Sequence, residues 1–185
     1  DLVAELAEAV GSRLVRYYEI AAALPEVGCC IVNDDWGFNT QTMLAPADMR
    51  KYIIPWHVKM VETIHRQNKP AILHSCGKLD DVYDDIINVC KFDGKHSYED
   101  KIQPVEEAYE MLAGKIAVLG GIDLDFVCRR TPAEIRERSL AMLKRSATRG
   151  GYALGTGNSV PDYVPDANYL AMIGVDPGFQ GQGLG

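Results

Sequence analysis

Short apolar runs alternate with longer amphipathic ones along the chain. Residues 29–32, 71–73, 92–95, 116–119 and 152–154 have the length and composition of buried strands. Between the first two, Met49, Ile53, Trp56, Met60 and Ile64 recur at three- and four-residue steps, which predicts a helix over about 46–67 with one buried stripe and a kink at Pro55. Thr131, Pro132 and Glu134 read as an N-cap, a first-turn proline and a capping-box acid, opening a helix that closes near Gly150. Further helices are expected over 1–23, over 79–90, and from Pro104 to a stop at Gly114. Strands alternating with helices mean a parallel sheet covered by helices. A closed barrel of this kind needs eight such units and five are visible. The expected fold class is therefore α/β, either an open five-stranded sheet or the C-terminal portion of a TIM-type (β/α)8 barrel with about five parallel strands present. No linker divides residues 1–173, so they read as one piece, with 174–185 as a tail of separate character. The chain opens on Asp1 without an initiator Met, which reads as a cut through a longer protein.

The composition, 47% hydrophobic over 185 residues, is that of a globular domain with a core. A net charge of −7 without a basic run gives no footprint for nucleic acid or an anionic membrane, and no apolar stretch approaches a membrane span. The partners expected are small molecules or proteins. Cys29, Cys30, Cys76, Cys90 and Cys128 form no CxxC pair and are odd in number, so the chain is expected to work reduced, in the cytoplasm.

Each strand candidate runs straight into chemically able residues, and parallel sheets keep their sites at the C-terminal strand ends. After the second strand, His74 and Cys76 are two residues apart and so point to one side, where an imidazole and a thiolate suit Zn²⁺. A packed thiol beside a hydrogen-bonded ring is the alternative. His96 and Glu99, after the third strand, could complete a metal shell. Asp34, Asp35 and Trp36 follow the first strand, and the pleat lets only one carboxylate face the sheet mouth, expected to be Asp35. Gly120 and Gly121 before Asp123 allow close backbone approach by a ligand, and the loop 155–159 offers Thr156 and Asn158 as donors without any nucleotide-binding glycine order. His57 and His65 are expected on the helix surface.

The segments HSCG (74–77), FDGKHSYED (92–100), VLGGID (118–123), TPAEIR (131–136), GGYALGTGNSV (150–160) and VPDANYLAM (164–172), in that order, resemble the uroporphyrinogen decarboxylase superfamily over about residues 1–172. The resemblance implies a β/α barrel and either of two enzyme classes. The zinc-dependent methyltransferase branch, which serves corrinoid or thiol acceptors, carries a His-x-Cys pair matched by His74 and Cys76, and a further Cys in the last Gly-rich loop, where this chain has Thr156. Glu99, His96 or a residue outside the chain would then have to complete the shell. In the decarboxylase branch that loop place holds a histidine, again not Thr156, while its Asp-Ser-Trp looks like Asp34-Asp35-Trp36. HSCG tips the balance toward methyl transfer. The leading expectation is a zinc methyltransferase acting with a corrinoid carried on a partner protein. His74 and Cys76 would hold the metal, Asp35 and Glu99 would position or protonate the leaving group, and Asp34, Trp36, Asp123, Thr156 and Asn158 would bind substrate. The alternatives are a metal-free decarboxylase of an acidic tetrapyrrole and a non-catalytic barrel fragment that binds a corrinoid or a partner. Five units leave the outer sheet edges unpaired, so either a homo-oligomer that buries them or an open half-barrel ordered by crystal contacts is expected. Residues 175–185 are similar to the acetyl-CoA pyrophosphate loop of GNAT acetyltransferases but lack the following helix, so they read as a fragment of other origin or a coincidence.

Overall fold

A computed structural model describes residues 1–174; the GNAT-like segment lies outside the described residues. Five strands, β1 (Cys30–Asn33), β2 (Ala71–His74), β3 (Gly94–His96), β4 (Ala117–Leu119) and β5 (Tyr152–Ala153), form one sheet in chain order. β1 runs parallel to β2 and β4 to β5, with helices between strands. This is an α/β fold of TIM-barrel type with five parallel strands. The chain divides into two compact units, Asp1–Lys95 and His96 onward. Among the described residues no helix is long and apolar enough to cross a membrane.

In the first unit, α1 (Leu2–Ala23) packs on α3 (Ile54–His65) and starts at Asp1, whose carboxylate accepts the Val3 N–H. Gly11 sits in the middle of α1 because a Cβ there would lie 2.2 Å from the Trp56 ring. The opposite face of α1 leaves Leu2, Leu6, Val10, Tyr17 and Ile20 exposed. The helix expected over 46–67 is three segments: α2 (Pro46–Asp48), a π-helical turn at Met49–Ile53, and α3. The kink expected at Pro55 takes this form for a reason. Proline has no N–H to donate and its ring crowds the carbonyl four residues back, so the turn before it widens and Ile54 N–H reaches back five residues to Met49 O. The widening shifts the buried stripe. Met49, Met60 and Ile64 are buried as expected, but Ile54 and His57 take the inward places expected of Ile53 and Trp56, which are half-buried. His57, expected on the surface, is 2% exposed. The helix expected over 79–90 is likewise irregular, a 3₁₀ turn at Asp80–Val82 and a π turn at Asp85–Val89. Buried Asp85 is held there by the Arg50 guanidinium, 2.9 Å away.

In the second unit, α4 (Val105–Leu112) follows Pro104, and Gly114 beyond its end has φ +80°, the left-handed conformation of a helix stop. α5 (Leu124–Arg129) precedes α6 (Pro132–Ser146), which carries the expected capping box: the Thr131 hydroxyl accepts from Glu134 N–H while the Glu134 carboxylate accepts from Thr131 N–H. α7 (Asp166–Ile173) packs on α6, and Asn168 on it donates to the carbonyls of Val127 within α5 and of Arg130 at its end. Arg138 on α6, with its side chain 15% exposed, binds both Asp100 and Glu106 and stacks on Phe126. It thereby ties the loop after β3 to α4 and α5.

Candidate functional site

Parallel pairing of β1 with β2 sets Asn33 opposite His74, so the loops leaving the two strands emerge side by side. Backbone and side chains then zip them together. Asp34 N–H donates to His74 O (3.1 Å), Trp36 N–H to the Ser75 hydroxyl (3.0 Å), Cys76 N–H to Asp35 Oδ1 (2.9 Å) and Lys78 N–H to Phe38 O (2.8 Å). Such contact requires glycine on both sides. Gly77 has φ +87°, and a Cβ on it would lie 2.1 Å from the Gly37 carbonyl; one on Gly37 would lie 2.7 Å from Lys78 N.

The zipper brings Asp35, His74 and Cys76 together, with one ligand atom from each within 4.8 Å of the others. Cys76 Sγ is 3.9 Å from His74 Nε2. A tetrahedral zinc with one sulfur and one nitrogen at their usual bond lengths sets those two atoms about 3.5 Å apart, so a shift of a few tenths of an ångström would let this pair of donors share an ion. Nitrogen, sulfur and carboxylate oxygen are donors that zinc accepts, and the three residues fit it. Burial pushes the His74 imidazole below its ordinary pKa; the Asp35 carboxylate pulls it up, and the Lys95 ammonium pushes it down again. The net result is a neutral ring at neutral pH, the form that binds metal.

Asp34 has a different role from its neighbour. Its Oδ2 accepts from Trp36 Nε1 (3.1 Å) and lies 2.9 Å from His57 Nε2. Trp36 is 2% exposed and meets the His57 ring edge-on, with centroids 4.8 Å apart. His57 Nδ1 is buried without a hydrogen-bond partner among the described residues, so the imidazole is anchored by its hydrogen bond to Asp34 and by ring contacts with Trp36 and Phe92. Sequence reasoning missed the Asp34–His57 pair. The available signal was the three-residue step from His57 to Met60, which places both on one helix face.

The residues predicted beyond β3 lie in the second unit. His96 Nε2 is 3.1 Å from Thr156 O, and a Cβ on Gly120 would strike both residues, which explains a glycine with φ +71° there. Thr156 bridges in parallel to Ile122, and its hydroxyl donates to Asn158 O at 2.7 Å. Asp123 caps α5, with Oδ1 accepting from the Asp125 and Phe126 N–H groups, and its Oδ2 accepts the Asp100 N–H at 2.9 Å. Glu99, Asp123 and Asn158 line a cavity of about 610 Å³ together with Tyr98, Phe126 and Arg129.

The family model described as Uroporphyrinogen decarboxylase (URO-D) matches residues 2–175. A uroporphyrinogen decarboxylase of Geobacter sulfurreducens is 27% identical over 143 residues, covering 76% of this chain and 38% of that protein. One of Geobacter metallireducens is 26% identical over the same shares. The chain thus spans about two fifths of the length of these curated relatives. A solved methyltransferase from Methanosarcina mazei superposes with a TM-score of 0.69 at 17% identity, over 89% of this chain and 45% of that one. That likeness is one of fold. A match across nearly all of the described residues settles membership: the chain belongs to the uroporphyrinogen decarboxylase (URO-D) family.

Proposed function

We propose that this chain serves a zinc-dependent methyltransferase that works with a corrinoid protein or a thiol acceptor. The observation that carries the reading is the convergence of His74 Nε2 and Cys76 Sγ at the end of β2. The methyltransferase among solved structures of this fold supports it. His74 and Cys76 would hold the ion, with the imidazole kept neutral chiefly by burial. Zinc bound there supplies a Lewis acid that acidifies a thiol or polarises a methyl donor. Asp35 and Glu99 are the carboxylates proposed to position or protonate the leaving group, and Asp34 with Trp36 holds the loop that carries Asp35. Asp123, Thr156 and Asn158 are proposed to contact the substrate, with His96 as a candidate further ligand. The test is metal analysis of the full chain and its Cys76→Ala variant. Stoichiometric zinc in the first and its loss in the second is expected; equal, negligible zinc in both would overturn the reading.

A second reading is favoured by the curated relatives, which are uroporphyrinogen decarboxylases. On it, carboxylates and loop amides hold and protonate an acidic tetrapyrrole without a metal. CO₂ release that survives chelators and the Cys76→Ala substitution is its expected outcome.

A further inference from the structure

We infer that Asp35 is the third protein ligand of the metal site, in place of the leaving-group role given to it above and of His96 as a ligand, so that the nitrogen, sulfur and oxygen donors all come from residues 1–95 and the leaving-group role stays with Glu99. The inference rests on the zinc reading above and specifies the ligand set. Three facts carry it. The Asp35 carboxylate is within 4.8 Å of both His74 and Cys76 ligand atoms. Its Oδ1 is fixed by the Cys76 N–H, which holds the carboxylate beside the thiol it would join. Its neighbour Asp34 is committed to His57 and Trp36, so of two adjacent carboxylates only Asp35 remains at the cluster. Charge agrees with geometry: one thiolate and one carboxylate neutralise a divalent cation, as two thiolates would. The fourth position stays open for a substrate thiol or alkoxide.

Co²⁺ binding to the full chain, followed by its d–d and thiolate charge-transfer bands, separates the outcomes. Asp35→Asn keeps the oxygen that accepts from Cys76 N–H and removes the anionic donor. It should weaken Co²⁺ binding by more than about 100-fold, beyond the 10–100-fold typical of a group acting behind the ligands. The d–d intensity should change while the charge-transfer band of Cys76 persists at saturation, and Asp35→Glu should recover part of the affinity. Asp35→Asn binding like wild type, or weakened less than 100-fold with unaltered d–d bands, would overturn the assignment. Cys76→Ala tells the two readings apart. If it binds as wild type does, the metal reading fails; if it loses Co²⁺ while Asp35→Asn does not, only the role of Asp35 fails.

Discussion

Two glycines set the chemistry at the residue scale, because the loop carrying Asp35 reaches His74 and Cys76 only where Gly37 and Gly77 let two backbones touch. Alanine at position 77 would have to hold φ +87° and place a methyl 2.1 Å from the Gly37 carbonyl. Left-handed strain alone costs about 1–3 kcal/mol, and the clash adds to it. Gly77→Ala should therefore lower unfolding free energy by about 2 kcal/mol or more in a denaturant titration and abolish the metal binding proposed above as the loops separate. Unchanged stability with intact metal binding would show that the zipper does not assemble the cluster. The His74 and Cys76 pair was legible in the sequence, because a strand period of two and the donor types suffice to bring them together. The separate duties of Asp34 and Asp35 were legible only in part. Pleat alternation picked out Asp35, but the agents that occupy Asp34 are a buried histidine 23 positions away and an indole two residues on.

Helices were placed from periodicity and caps, and those signals held wherever the hydrogen-bond ladder is regular. The Thr131 capping box is formed as expected. The helix over 46–67 shows where such reasoning stops. Periodicity assumes 3.6 residues per turn, and the π turn forced ahead of Pro55 changes the phase, so His57 rotates inward although the pattern put it outside. Strand edges differ from the pattern as well. Residues 92–95 read as a strand, but β3 spans Gly94–His96, and just before it the Asp93 carboxylate accepts from Ala71 N–H and meets His65 Nε2. The packing of α1 on α3 gives a test of this level. Glycine to alanine in an open helix is worth about 1 kcal/mol of added stability. At Gly11 the new methyl would meet Trp56 at 2.2 Å, so Gly11→Ala should instead destabilise by about 1–3 kcal/mol. The effect should reverse in a Trp56→Ala background, giving a strongly non-additive double-mutant cycle; additivity would mean that the two residues do not press on each other.

Charge acts on the molecule as a whole. At pH 7 the chain carries −7, with a sequence pI near 5.1, so mild acidification first removes self-repulsion. Below that point paired carboxylates govern stability. Burial alone would push the Glu106 carboxyl up, but hydrogen bonds and charge from Arg138 outweigh it and hold the group below its ordinary value. Glu110 is held down by Arg149 and Arg145, and Glu134 by the Thr131 N–H and hydroxyl. A carboxyl depressed in the folded state binds fewer protons there than in the unfolded chain. Its stabilisation is complete above the unfolded value of about 4.3 and is lost as pH falls through the lower, folded value. Unfolding free energy should therefore be nearly flat from pH 7 to 5 and drop steeply between about pH 4.5 and 3. Arg138→Leu separates the buried contribution from the exposed ones. Removing the guanidinium leaves Asp100 and Glu106 partly buried without their partner, so the variant should be about 3 kcal/mol less stable at pH 7. Its decline toward pH 3 should also be shallower, because Glu106 then titrates at a higher value, closer to that of the unfolded chain. Parallel pH profiles for wild type and Arg138→Leu would show that this ion pair does not set the acid limit, and would leave the exposed Glu110 and Glu134 contacts to account for it.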